Sequence, residues 1–164
     1  MNKYLAVTLT VMLLSCSDSG VPVSPVPPDI SIDELLAVPD TVMVQSTTLT
    51  LSTAIWRDFM PFSPPDGKPL IATAYVDAID TVTFPSSIRA DAIWIVYAGE
   101  VWKSFFTSEI PPPNPLTPNR LERIARNGPK WGPDVYVDVV VRILDSQGNA
   151  HLVRAAHQWI GRTD

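Results

Sequence analysis

Apolar and polar residues alternate most clearly in the stretch VYVDVVVRIL, which runs from Val135 to Leu144. Valine or isoleucine occupies every second position of this stretch, at Val135, Val137, Val139, Val141 and Ile143. The intervening positions include Tyr136, Asp138 and Arg142. Because neighbouring side chains of a strand point to opposite faces, this pattern predicts a β-strand with one face on a core and the other largely in water.

Six other stretches are rich in threonine, valine, isoleucine and aromatic residues, which favour strands. They are residues 41–45, 48–59, 70–79, 90–97, 101–107 and 150–159. The stretch DSQGN contains Gly148, which tolerates a positive φ, and it predicts a hairpin between the last two strands. Residues 98–100 predict a second hairpin, between the fourth and fifth strands.

The long connection between the two hairpins breaks the strand pattern. Thr117 is a suitable N-cap residue, Pro118 fits the first helical position, and Asn127 and Gly128 suit the end of a helix. We therefore expect one short helix over residues 118–126. Three arginines would cover a broad face of it, open to solvent or to an acidic partner: Arg120, Arg123 and Arg126.

Seven short strands joined by glycine- and proline-rich turns predict an all-β fold, a two-sheet sandwich. The stretches PDTVMVQSTTLTLSTAI and GPDVYVDVVVRILDSQGN, with Trp94 on a central strand, resemble the bacterial immunoglobulin-like and fibronectin type III-like domains of cell-envelope proteins. The resemblance covers most of residues 39–159. It implies an immunoglobulin-like sandwich of about seven strands, with the short helix in the long connection. A transthyretin-like or other Greek-key sandwich fits nearly as well.

The first residues have a different character. Lys3 precedes an apolar run from Tyr4 to Leu14. This run is too short for a membrane-spanning helix, which needs about 20 apolar residues. It fits the apolar part of a secretory signal peptide. The run ends in the sequence LLSC, which resembles the lipobox of bacterial lipoprotein signal peptides.

The lipobox resemblance implies that Cys16 carries a diacylglycerol thioether and that the signal is cleaved between Ser15 and Cys16. It also implies an acyl group, such as palmitate, on the new N-terminus. Several acyl chains hold a protein durably at a membrane, whereas one chain binds only marginally. In the lipoproteins that this signal resembles, an aspartate directly after the cysteine favours retention in the inner membrane. Ser17 stands at that place here, so the resemblance implies the outer membrane and leaves the periplasmic or surface side open. The alternatives are a plain signal peptide with a chance cysteine, or a buried free thiol.

The chain therefore divides into three predicted segments. Residues 1–15 are the signal peptide, residues 16–39 are the lipidated cysteine with a proline-rich tether, and residues 40–164 are the β-sandwich domain. Prolines lack an N–H and restrict φ, so the tether disfavours helix and strand. At about 3.1 Å per residue, it would hold the domain up to roughly 60 Å from the membrane.

Charge and cysteine content narrow the class of function. The formal charge of −5 becomes −6 when Lys3 leaves with the signal, and the chain has no basic run. This argues against nucleic acid or anionic lipid headgroups as the main partner. Cys16 is the single cysteine, so no intramolecular disulfide can form. The domain has to be stable by packing alone.

The sequence lacks the arrangements that catalysis needs. The two histidines, His151 and His157, would lie roughly 20 Å apart on one regular strand and so could not share a metal ion. No nucleophile elbow, phosphate loop or paired-cysteine motif is present. The oxygens of DSQGN would suit a surface Ca²⁺ ion, but a hairpin turn needs the same residues. We expect no catalytic residue, no metal and no cofactor.

The five tryptophans are the most suggestive feature. Trp56 and Trp94 lie in apolar runs and are expected in the core. Trp102 and Trp131 have polar or turn-forming neighbours and are the candidate binding surface. The leading hypothesis is a non-enzymatic, lipid-anchored protein whose sandwich contacts another envelope protein. The alternatives are a carbohydrate-binding module using Trp102 and Trp131, or a small enzyme or metal protein.

Overall fold

The computed structural model describes residues 27–112 and 114–164, so the predicted signal peptide and Cys16 lie outside the described residues. The described residues form an all-β fold, as predicted, with one short helix, α1 (Ile32–Leu36). The strands are β1 (Thr41–Val44), β2 (Thr47–Asp58), β3 (Leu70–Ala78), β4 (Arg89–Tyr97), β5 (Glu100–Phe105), β6 (Arg120–Gly128), β7 (Val135–Leu144) and β8 (Ala150–Thr163). Within the ranges described, no helix is long and apolar enough to cross a membrane.

The strands form one continuous mixed sheet. Their order is β5-β4-β7-β8-β2-β3-β6, and β1 pairs with the start of β2. The β2–β8 pair is parallel and joins Ile55–Asp58 to Ile160–Thr163, whereas the other pairs are antiparallel. The sheet curls until its end strands approach, and the N–H of Thr107, just after β5, donates to the carbonyl of Ile124 in β6 at 2.8 Å. The two predicted hairpins, β4–β5 and β7–β8, are confirmed.

The prediction of a short helix over residues 118–126 is wrong, because a strand, β6, covers Arg120–Gly128. β6 pairs with β3, and Arg120 lies directly opposite Asp77. The Arg120 guanidinium binds both oxygens of the Asp77 carboxylate, at 2.7 and 2.9 Å. Cross-strand pairing of this kind outweighs the modest intrinsic preference for a helix.

The main core lies inside the curl of the sheet. The predicted inward face of β7 is confirmed, since Val137, Val139, Val141 and Ile143 are each at most 2% exposed. Alternate positions of β3 and β4 supply much of the remainder: Leu70, Ala72, Ala74, Val76, Ala78, Ile93 and Ile95.

The opposite faces of β4 and β7 are buried as well. Ala92, Trp94, Val96 and Val140 form a second cluster there, covered by the N-terminal segment 27–38. Leu35 of α1 is fully buried in this cluster. Trp94 is also fully buried, as predicted, and its indole N–H donates to the carbonyl of Pro28 at 3.2 Å.

The N-terminal segment is ordered by local hydrogen bonds. Ser31 and Glu34 form a capping box: the Ser31 hydroxyl accepts from the Glu34 N–H at 3.2 Å, and the Glu34 carboxylate accepts from the Ser31 N–H at 3.0 Å. The carbonyl of Pro39 then accepts from the N–H of Arg154 in β8 at 2.9 Å. The part of the predicted tether that the structure describes, residues 27–39, therefore packs on the domain.

A single buried cation fastens two loops at one end of the sheet. Arg57, near the end of β2, is only 3% exposed. Its guanidinium donates to four backbone carbonyls, those of Asp66, Lys68, Lys130 and Gly132. Three of these hydrogen bonds measure 2.7 to 3.1 Å. The first two carbonyls belong to the loop after β2 and the other two to the loop after β6, so one side chain holds both loops.

Candidate functional site

The two tryptophans predicted as a binding surface, Trp102 and Trp131, are half-buried and pack against the main core. The Trp131 indole N–H donates to the Glu100 carboxylate at 3.0 Å. The Trp131 ring centroid lies 5.5 Å from that of Tyr97. Trp102 lies on β5, two residues after Glu100. The hydrogen bond to Glu100 therefore holds Trp131 next to the strand that carries Trp102. Only part of each ring is open to a ligand, and their role in binding stays a prediction.

A second group of aromatic residues is more exposed, and we call Tyr136, His157 and Trp159 the aromatic patch. Tyr136 is 50% exposed and Trp159 is 45% exposed. The Tyr136 and His157 rings are stacked, with centroids 3.9 Å apart and planes 7° apart. The Trp159 centroid lies 5.0 Å from that of Tyr136, with the planes at 59°. The patch presents three adjoining rings on the outer face of β7 and β8.

A β-bulge in β8 creates this arrangement. In the regular part of the hairpin Val139 pairs with Ala155, but the next pairing is Val137 with Gln158, so β8 contains one extra residue. His157 lies in the bulge and has a φ of 56°, a left-handed value that non-glycine residues rarely adopt. The regular-strand geometry expected for the histidines therefore does not hold.

The bulge decides where Trp159 points. In a regular strand Trp159 would have the parity of Val153, which belongs to the main core. The extra residue reverses the parity, so Ile160 takes the core position and Trp159 lies opposite Tyr136 on the outer face. Trp56, predicted in the core, is also half-buried, and it lies opposite Gly161 in the parallel β2–β8 pair. The one sequence signal for the patch is the outward parity of Tyr136.

The hairpin turn before β8 uses the oxygens that would suit a Ca²⁺ ion. Asp145 accepts hydrogen bonds from the backbone N–H groups of Gln147 and Asn149 at 2.8 and 2.9 Å, and from the Asn149 side chain at 2.9 Å. The side-chain bond from Asn149 is the largest of the causes that lower the pKa of Asp145 to about 2. The part of the chain that the structure describes contains no group of three or more His, Cys, Asp or Glu residues placed to hold a metal.

Two of the three arginines assigned to the basic face are held in ion pairs. Arg120 binds Asp77 of β3, as described above. Arg126 makes two hydrogen bonds of 2.9 Å to Glu109. This bonding lowers the pKa of Glu109 and raises the pKa of Arg126. Arg123, between them, forms no ion pair within the part of the chain that the structure describes.

Comparisons with known proteins assign this chain to no family. A scan against protein-family models, a search of curated proteins and a search of solved structures found no match.

Proposed function

We propose that this protein is a non-enzymatic, lipid-anchored component of the cell envelope whose β domain docks onto another envelope protein through the aromatic patch. The observation that carries the proposal is the exposure of Tyr136 and Trp159 on adjacent strands. Tyrosine and tryptophan dominate the energetics of protein–protein contacts, because each buries a large area at a small cost in conformational entropy.

The surroundings of the patch support a protein partner. The same outer face of β7 is covered farther along, at Val140, by the chain's own N-terminal segment. The aromatic patch is the part of this face that keeps large apolar side chains exposed. Beside it, Arg154 pairs with Asp138 at 3.1 Å, which gives the patch a polar border. An apolar centre with a polar rim is the usual anatomy of a protein interface.

The immunoglobulin-like assignment is part of the proposal and is supported by the strand order. β5-β4-β7-β8 and β2-β3-β6 correspond to the two sheets of that sandwich, C′-C-F-G and A-B-E, joined here by the parallel β2–β8 pair. Trp94 lies on the strand that corresponds to C, where the family has its buried tryptophan. It differs from that pattern by packing under the N-terminal segment instead of in the main core.

Carbohydrate binding is the second candidate, since sugar rings also stack on exposed aromatic side chains. The surface expected from the sequence consists of Trp102 and Trp131. Both pack against the main core, and the indole N–H of Trp131 is already bonded to Glu100. More ring surface is available at Tyr136 and Trp159, which favours the aromatic patch over the two half-buried tryptophans for either ligand.

The docking proposal is tested by the double replacement Tyr136→Ser with Trp159→Ser. Loss of a hot-spot pair costs about 2 kcal/mol or more, so we expect the recovery of a co-purifying partner from solubilised membranes to fall by about 30-fold. Phe62→Ser is the matched control, because Phe62 lies on a loop and is fully exposed. This control is expected to leave the recovery unchanged.

Other outcomes of this experiment decide against a protein partner. Equal recovery with the double variant and the unmodified protein would contradict docking through the patch, and so would an equal loss with Phe62→Ser. If no protein is recovered but cell-wall glycans change the tryptophan fluorescence of the unmodified chain, the carbohydrate alternative replaces the leading proposal.

Lipid anchoring is tested separately at Cys16. Replacement by serine is expected to abolish the incorporation of labelled palmitate, because the thioether requires the sulfur nucleophile. The intact mass of the unmodified mature protein is expected to correspond to a chain that begins at Cys16 and carries lipid. Ser17→Ala is the control and is expected to keep the label. An unmodified protein that takes up no label would contradict the anchor while leaving the docking proposal standing.

A further inference from the structure

Arg123 is placed differently from the other arginines of β6. It lies opposite Ala74 of β3, a fully buried residue of the main core. Its sequence neighbours of the same parity, Leu121 and Ala125, also face that core. Arg123 is thus directed to the inner side of the curled sheet, near the junction where β6 meets the segment that follows β5.

Within the described residues, Arg123 has no carboxylate partner within 4.0 Å. Among the residues that the structure describes, its one side-chain hydrogen bond is to the backbone carbonyl of the adjacent Glu122, at 3.2 Å. The other arginines that are half-buried or buried are each bound to a carboxylate or to several carbonyls: Arg57, Arg120, Arg142 and Arg154. Partial burial of a cation without an anion is costly, and an anionic ligand would relieve it.

Arg123 lines a pocket of about 460 Å³ between β4, β6 and the segment after β5. The pocket is of the size used for small-molecule binding. Its walls are mainly apolar, with Phe105, Phe106 and Ile110, and Ile110 is 77% exposed. Of the described residues that line the pocket, Asp91 alone carries a carboxylate, and Arg142 binds both of its oxygens at 2.7 and 2.8 Å.

We propose that this pocket binds an organic carboxylate with an apolar body. The carboxylate pairs with the Arg123 guanidinium, whose planar fork matches the two oxygens of a carboxylate. The apolar body covers Phe105, Phe106 and Ile110. The hydroxyl of Ser108, which also lines the pocket, is available to the remaining lone pairs, whereas the Thr107 hydroxyl donates to the carbonyl of Ile124 at 3.2 Å. The site is separate from the aromatic patch and does not depend on the proposed docking.

Two sources supply this chemistry, a free short-chain carboxylic acid and the C-terminus of a peptide with an apolar last residue. Full-length, ¹⁵N-labelled protein in nonionic detergent micelles is titrated with butyrate for the first and N-acetyl-L-phenylalanine for the second. Butyramide and N-acetyl-L-phenylalaninamide are the neutral controls. Tighter binding of butyrate identifies a free short-chain acid as the ligand, and tighter binding of N-acetyl-L-phenylalanine identifies a peptide C-terminus.

We expect saturable shifts of the backbone amide signals of Thr107, Ser108 and Ile110 with at least one acid. The matching amide is expected to bind at least about tenfold more weakly, which is the effect of losing one charged contact. Arg123→Gln is expected to weaken the binding of the acid by a similar factor. Arg162→Gln, at an exposed arginine of β8, is expected to leave that binding unchanged.

Three results would overturn the proposal. One is the absence of saturable shifts up to about 10 mM of both acids, where any useful affinity would be visible. Another is equal binding of an acid and its amide. The third is unchanged binding by the Arg123→Gln protein. The comparison of acid with amide uses only the unmodified chain, so it decides the matter even if that variant does not fold.

Discussion

Replacing Arg57 by methionine is expected to lower the free energy of unfolding by about 4 kcal/mol. Methionine fills much of the same volume but donates no hydrogen bond to the four loop carbonyls. A hydrogen bond to a charged group contributes about 1.5–3 kcal/mol, and an orphaned buried acceptor costs a similar amount. The sum is reduced because both loops can partly relax into water, and because burying the cation itself carries a desolvation cost that methionine avoids.

The matched control for Arg57 is Arg162→Met, because the two residues are register partners in the β2–β8 pair. Arg162 is exposed and makes its ion pair with Asp164, so its loss is expected to cost less than about 1 kcal/mol. Urea unfolding of residues 17–164, followed by circular dichroism, measures both values. Similar losses for the two variants would show that the buried hydrogen bonds to the loops do not hold this end of the sheet.

Replacing Leu35 by alanine is expected to lower the free energy of unfolding by about 3 kcal/mol. Leu35 is fully buried against Trp94 and Val140, and truncation leaves a cavity that a five-residue helix cannot fill. Partial exposure of Trp94 is expected to shift its fluorescence to longer wavelength.

Leu36 provides the control for Leu35, since it is the next residue of α1 and is 37% exposed. Leu36→Ala is expected to change the free energy of unfolding by less than about 0.5 kcal/mol and to leave the fluorescence unchanged. Both variants are compared by urea unfolding with tryptophan emission as the readout. Equal effects of the two replacements would contradict the docking of the N-terminal segment on the second cluster.

The docked segment shows where sequence reasoning reached its limit at the N-terminus. The prolines between Val21 and Asp29 indicate an extended chain, and the predicted tether continued that extended chain to residue 39. The signals for α1 are local and readable, because Ser31 and Glu34 form a capping box. What no local signal shows is that Trp94 and Val140 leave an apolar surface on the outer side of the sheet, which the segment covers.

The prediction of a helix over residues 118–126, where the structure has β6, was wrong for a related reason. Its apolar and charged residues do not follow the two faces of the sheet, since Arg123 has the inward parity and Ile124 the outward one. Without alternation, the cap signals at Thr117 and Pro118 decide the interpretation in favour of a helix. Pairing with β3 joins residues that are 43 to 58 positions apart in the chain, from Asp77 with Arg120 to Leu70 with Gly128, and a local pattern contains no record of it.

Of the aromatic patch, the sequence pattern predicts the position of Tyr136 but not that of Trp159. The alternation within β7 correctly assigns Tyr136 to the outer face, and the turn after Leu144 predicts a return strand beside it. Trp159 would be assigned to the core by counting along a regular strand. One inserted residue at His157 changes the face of every side chain that follows, and its position depends on how β8 must bend to pair with both β7 and β2.

The sequence by itself determined the all-β class, the position of most strands and the two hairpins, because strand-forming residues, period-two alternation and turn residues act over a few neighbouring positions. It is also the sole basis for the predicted lipid anchor at Cys16, which lies outside the described residues. Only the tertiary structure decided the strand order, the cover over Trp94, the outward turn of Trp159 and the inward turn of Arg123. Each of these depends on contacts between segments that are far apart in the chain. For Trp159 and Arg123 the deciding contact is the register between paired strands, where a shift of one residue exchanges the buried and exposed faces.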